Sequence, residues 1–263
     1  MKIIDAHCHV FPDSLAERAS TNTGKFYGYT PYSDGRLDTL MALGGEAGIS
    51  HYVICSVATN PRQVMAVNRH LLDTAANHPG QITAIGTLHP HSPRLREEAE
   101  ELIRLGRKGV KLHPDIQQIE VDDPGMMEVF ALCEGRLPVL CHIGDNRYDY
   151  SSPTRIMRVL DRFPKLRLIG AHLGGWSMWR QAAELLHGYD GMMVDCSSSL
   201  AFLPPEEAAA IIRLYGPERV MFGTDYPMWV PREEVRLFNG LPLADDERRL
   251  ILHDNAAALL GIE

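Results

Sequence analysis

No stretch of this 263-residue chain approaches the roughly 18 to 20 consecutive apolar residues of a membrane-spanning helix. Its first residues also lack the basic segment and apolar core of a secretory leader. A soluble cytoplasmic protein without a membrane partner is expected. Positive charge is scarce too. The balance of 26 Lys and Arg against 34 Asp and Glu leaves a formal charge of −8, which argues against nucleic acid as a partner. Cysteine is sparse, with five residues (Cys8, Cys55, Cys133, Cys141 and Cys196) and no Cys-x-x-Cys pair. Their odd number and their place in apolar runs read as reduced, buried thiols rather than a disulfide framework. No Gly-rich phosphate fingerprint follows any predicted strand, which counts against an open dinucleotide-binding sheet.

What is present is a repeating pattern. With 45% hydrophobic residues the chain has ample material for a core. Short apolar or β-branched runs occur at 3–4, 51–57, 82–86, 109–112, 139–141, 166–170, 192–195 and 220–222. From the second onward they start every 26 to 31 residues. Helical segments fill the intervals, opened by Asn60-Pro61, Ser92-Pro93, Asp123-Pro124, Ser152-Pro153 and Leu203-Pro204-Pro205, with proline near the first turn. Strand alternating with helix predicts parallel βαβ units, and eight strands predict one (β/α)₈ barrel over residues 1–263, with its site at the C-terminal strand ends. The last segment, 243–260, reads as closing helices capped by Asp254 or Asn255. The first connection is the exception, at about 40 residues. It reads as an irregular loop over Ser20 to Asp34 and a helix over 37–46. That loop either caps a pocket, with Phe11, Phe26, Tyr27 and Tyr29 lining it, or lies in solvent.

The chemistry concentrates at strand ends. In an extended segment His7 and His9 share one face while Ala6 and Cys8 take the other. Two imidazoles on one face suit a divalent ion such as zinc, held at about 2.0–2.1 Å with a position left open in catalytic sites. With 12 histidines in the chain, and a second His-x-His at His89 and His91, the motif is weak by itself. Position adds the specificity. The fourth strand carries Lys111 and is followed by His113 and Asp115, the fifth ends at His142, the sixth at His172, the seventh at Asp195 and the eighth at Asp225.

These positions lie within Gly109-Val110-Lys111-Leu112-His113-Pro114, Ala171-His172-Leu173-Gly174-Gly175 and Phe222-Gly223-Thr224-Asp225-Tyr226-Pro227. So arranged, the chain resembles the amidohydrolase superfamily, and within it the amidohydrolase-related family of small barrel hydrolases and decarboxylases. The resemblance implies that His7, His9, His142 and Asp225 hold one divalent ion, Zn²⁺ being favoured over Mn²⁺ or a two-metal centre. It implies that Asp225 moves the proton and that His172 is either a further ligand or a base. It leaves Lys111 as a carboxylated bridge between metals or as an anion-binding group. The activity implied is hydrolysis of an amide, ester or lactone carbonyl of a small molecule by metal-activated water. The alternative is non-oxidative decarboxylation of an aromatic or unsaturated carboxylic acid. A homodimer is the assembly expected.

Around that set, His113 reads as pocket lining or rim, and Arg147 or Arg155 as a clamp for a substrate carboxylate or as an exposed ion pair. Asp195 would orient a ligand or satisfy backbone groups, and Trp176 would cover the pocket or pack. His89 is at most pocket-lining and His91 a loop residue. His51, His70, His78, His187 and His253 read as surface or packing residues, and Cys8 and Cys141 as facing the helices.

Overall fold

In the computed structural model, which describes residues 2–262, each apolar run becomes a short strand. These are β1 Ile3–His9, β2 Ile49–Cys55, β3 in two segments Ile82–Ala84 and Gly86–Thr87, β4 Val110–Leu112, β5 Val139–Cys141, β6 Leu168–Gly170, β7 Met192–Asp195 and β8 Val220–Met221. All pairings are parallel and follow chain order. Ile85 N donates to Ile54 O at 3.1 Å, which keeps β3 continuous between β2 and β4. Ala6 N donates to Phe222 O and Asp225 N to His7 O, both at 2.9 Å, so the end of β8 joins β1 and the sheet closes.

Alternation along the strands sorts two layers. Ile4, Val53, Cys55, Ile85, Leu140, Ile169 and Met221 fill the interior, with Ala256 and Leu260 packed against them. Cys8, Ile54, Val110, Leu112, Val139, Cys141, Leu168 and Val194 pack outward on the helices. Five helices begin on proline: α5 Pro114–Gln117, α6 Pro124–Cys133, α7 Pro153–Arg162, α9 Pro205–Tyr215 and α10 Pro231–Asn239. The missing N–H costs nothing at that position. The others are α1 Asp13–Tyr27, α2 Leu37–Glu46, α3 Val64–Asn77, α4 Leu95–Arg104, α8 Trp179–Leu186, α11 Asp245–Arg249 and α12 Asn255–Leu260.

Three expectations are corrected. The span from Ser20 is not a loop: α1 runs to Tyr27 and ends at Gly28, whose φ of 76° suits a left-handed cap. Its small residues are there for contact, because Ala16, Ser20 and Gly24 form one buried stripe. A Cβ at Gly24 would collide with Tyr29 O and Pro31. Secondly, Ala6 does not share the outward face of Cys8 but packs in the interior with Ile4. The pairing shifts from Asp5↔Tyr52 to Cys8↔Ile54, so β1 holds one residue more than β2 there. Such a bulge re-aims the side chains after it. Thirdly, neither Asp254 nor Asn255 caps a new helix, since both have helical dihedrals in a continuous run. Asn255 Nδ2 instead donates to Pro217 O at 2.7 Å and Val220 O at 2.6 Å, tying α12 to β8.

One buried acid in this frame carries a stability prediction. Glu234 of α10 is 2% exposed, and its Oε2 has no hydrogen-bond partner. Burial, reinforced by the charges of Asp225 and Asp5, pushes its carboxyl up to about 8. The folded state therefore holds a proton that the unfolded chain has released. Its contribution is complete below the unfolded value near 4.5 and is lost as pH rises through about 8. Glu234→Gln is expected to melt near the wild type at pH 5 and about 5 °C or more above it at pH 8.5. Parallel melting curves at both pH values would contradict this.

Candidate active site

The site is built at the C-terminal strand ends, on backbone held in an unusual region. His172, Leu173, Ser198 and Asp225 have φ of 62°, 52°, 51° and 55°, and non-glycine residues rarely adopt such values. Clustering of that kind marks sites where surrounding structure imposes the geometry.

His7 and His9 face each other, Nε2 to Nε2, at 3.2 Å. Asp225 Oδ1 lies 3.6 Å from the first and 3.5 Å from the second. Ligands at about 2.0–2.1 Å from a tetrahedral ion are separated by about 3.3–3.4 Å, so this triangle fits one divalent cation. The donor set fits as well. Burial drives the imidazoles of His7, His9, His113 and His142 well below their ordinary pKa and that of His172 to about 3, leaving neutral rings with lone pairs. Burial also pushes the Asp225 carboxyl up to about 7, and a cation at the triangle would oppose that rise. Its other oxygen, Oδ2, accepts from Ser198 Oγ at 2.6 Å, and Trp229 Nε1 donates to Ser198 Oγ at 2.6 Å.

Orienting contacts fix which nitrogen each ring offers. His7 Nδ1 donates to Asp195 Oδ2 at 3.0 Å, leaving the Nε2 lone pair on the side of His9 and Asp225. Asp195 Oδ1 accepts from His172 N at 3.2 Å, Ser197 N at 3.0 Å and Ser197 Oγ at 2.5 Å. Asp195 thus orients a ring and satisfies backbone together. His172 Nδ1 donates to Ser197 O at 3.1 Å, which turns its Nε2 to the cavity. Asp5 closes the base. Its carboxylate accepts from Thr224 N at 2.9 Å, Thr224 Oγ1 at 2.6 Å and His7 N at 3.2 Å, joining the first ligand strand to the turn that carries Asp225.

Lys111 is 1% exposed and its Nζ donates to His7 Nε2 at 3.0 Å. His142 lines the same cavity, with its ring 4.9 Å from that of His172 and stacked on His113 at 4.1 Å. His113 has both nitrogens engaged. Nδ1 accepts from Ile116 N at 3.3 Å, so Nε2 donates to Tyr27 Oη at 2.7 Å. Cys55 Sγ lies 3.8 Å from His9 Nδ1, but burial pushes its thiol up to about 12, which leaves it a neutral neighbour.

Arg147 is not brought to the site. Its guanidinium donates to both oxygens of Asp145 and to Phe26 O, and it lies over the Phe26, Tyr27 and Tyr148 rings. It fastens the end of α1 to the loop after β5. Arg155 is likewise occupied, by Asp122, Glu120 and Asp149. The second His-x-His stays outside the main cavity, whereas His70, read as surface or packing, lines its wall. Trp176 packs at right angles to Trp179 and Phe202 and borders a smaller recess with Tyr27 and Trp229.

Asp5 and Ser198 escaped the sequence reading as site contacts, whereas Tyr27, read as lining if its segment caps the pocket, does line the cavity. Only the serine run at 197–199, two residues past the strand-end Asp195, carried a usable signal for Ser198. Around these groups lies one cavity of about 500 Å³, floored by His9, Lys111, His142, His172 and Asp225 and walled by α1 and α3.

A closed parallel barrel with imidazoles and a carboxylate converging at its C-terminal mouth defines a class of barrel enzymes with a candidate divalent-metal centre. The amidohydrolase family model matches residues 4–262, and the chain belongs to that family. Among solved structures it is similar to an uncharacterised TIM-barrel protein from Bordetella bronchiseptica (25% identity, TM-score 0.81, 99% of each chain). It is also similar to 5-carboxyvanillate decarboxylase from Sphingomonas paucimobilis (18%, TM-score 0.74, 100% of this chain and 99% of that one). A third is an amidohydrolase from Burkholderia multivorans with bound zinc (17%, TM-score 0.75, 100% of each). Among the described residues, no helix is long and apolar enough to cross a membrane.

Proposed function

We propose that this protein is a metal-dependent hydrolase that attacks an amide, ester or lactone carbonyl of a small molecule. The observation that carries the reading is the Asp225 carboxylate, with one oxygen against both His7 and His9 and the other held by Ser198 on the cavity floor. One divalent ion held by His7, His9 and Asp225, with His142 and His172 beside them, would polarise the carbonyl and make a water nucleophilic near neutral pH. Asp225, on the cavity floor against both His7 and His9, would accept the proton of the attacking water and pass it to the leaving group. Ser198 keeps that carboxylate in one orientation through the transfer. Lys111 Nζ supplies positive charge beside the reacting oxygen, and the Tyr27 hydroxyl, held by His113, supplies a hydrogen bond from the opposite wall.

Decarboxylation is the second reading, favoured by Lys111 at the floor, where a substrate carboxylate would pair with it. Arg147 and Arg155 are engaged elsewhere, so Arg18 of α1 is the arginine that lines the cavity, on its wall rather than its floor. The similarity to 5-carboxyvanillate decarboxylase supports the fold alone.

Two measurements test the reading. Elemental analysis of protein purified without chelator is expected to give about one zinc or manganese per chain, reduced in His142→Ala. Screening lactones, esters, amides and aromatic acids is expected to show acid release without CO₂. Release of CO₂ would move the assignment to the second reading. Nearly two ions per chain would make Lys111 a carboxylated bridge.

A further inference from the structure

The cavity is too large and too apolar for the reacting group alone. Benzene occupies an engineered cavity of about 150 Å³, so about 500 Å³ is roughly three times the space of a single ring. The buried imidazoles, Lys111 and Asp225 gather at one end, the floor. Beyond them the walls are mainly apolar, with Leu15, Ala19 and Phe26 of α1, Ala66 and Val67 of α3, and Met228, and with Arg18, Asn22 and His70 set among them. Among the described residues lining the cavity, Asp225 is the one carboxylate. The space outside the floor is therefore a largely apolar slot between two helices, edged by a few polar side chains. Ligand pockets of this kind orient a molecule by a few polar groups and hold its remainder by apolar contact.

We infer that the substrate carries, besides the carbonyl group processed at the floor, a large apolar acyl or aryl arm that lies in the slot between α1 and α3. This rests on the proposed metal-dependent reading, because the floor is what fixes which end of the molecule is the head. The slot is built by α1, the helix in the long first connection. Arg147 ties its C-terminal end to Asp145 in the loop after β5 and Tyr27 ties it to His113, which stacks on His142 of the floor, so the arm's wall is held in register with the reacting end.

The test uses zinc-loaded full-length protein and two hydroxamates that share one zinc-binding head, acetohydroxamate and octanohydroxamate, titrated by calorimetry. Octanohydroxamate is expected to bind at least about tenfold more tightly. Ala19→Trp and Ala66→Trp each put an indole into the slot from one wall. In each, the ratio of the two affinities is expected to fall below about threefold, with zinc content as the check on folding. A wild-type ratio near one, or a ratio that survives both substitutions, overturns the inference and leaves the metal reading intact, since acetohydroxamate alone still reports the ion. Protein that retains no zinc and binds neither probe overturns both.

Discussion

Protein carrying His7→Ala is expected to hold less than about a tenth of an equivalent of zinc under reconstitution that gives the wild type about one. Turnover of any substrate found should fall by about 10³-fold or more. His7 is fully buried and its Nδ1 is committed to Asp195, so one nitrogen points into the triangle with His9 and Asp225. Removing that ring takes away the nitrogen around which His9, Asp225 and Lys111 are gathered. The companion variant, Asp195→Asn, keeps the ligand but loses the charge behind it. It should weaken zinc binding by about 10- to 100-fold, as loss of an orienting carboxylate does. Competition with a chromogenic chelator measures both. Zinc affinity in Asp195→Asn equal to that of the wild type would reduce Asp195 to a backbone anchor for Ser197 and His172.

The second large effect is on stability. Asp5→Ala should destabilise the protein by about 2–4 kcal/mol, read as a drop in melting temperature of roughly 5–15 °C. Burial pushes the Asp5 carboxyl up to about 6, but its hydrogen bonds from Thr224 and His7 oppose that rise, and at neutral pH most of it is charged. The alanine variant strands three buried donors, His7 N, Thr224 N and Thr224 Oγ1, and an unpaired buried donor costs more than the bond itself was worth. Thr224→Val removes one of the three and should cost about 1–2 kcal/mol. The two substitutions share a network, so the double variant should cost less than their sum. A change below about 0.5 kcal/mol in Asp5→Ala would show that the β1–β8 closure does not depend on this carboxylate.

Much of the architecture was legible because it depends on local chemistry. Apolar runs at near-constant spacing, with proline at the helix starts between them, specify parallel βαβ units whatever the distant residues do. Given a barrel, the C-terminal strand ends converge, so His7, His9, Lys111, His142, His172 and Asp225 could be placed at one mouth from the order of the chain alone. Where local composition misled, contact had overridden it. Ser20, Thr21, Thr23 and Gly24 have the look of a loop, yet small residues at helical spacing let α1 approach its neighbours closely. Ala6 was put on the wrong face because a bulge is a mismatch between two strands and cannot be seen in one.

Residue type, order and periodicity are properties of the chain, and they suffice to specify the scaffold and the histidines, lysine and aspartate that it gathers at one mouth. Which nitrogen each ring presents, the diversion of Arg147 to Asp145, the union of Asp5 with Thr224 and the largely apolar slot between α1 and α3 arise only on folding. Each depends on partners far apart along the chain, such as His7 with Asp195 or Phe26 with Arg147, and such pairings become definite only when the backbone has closed around them.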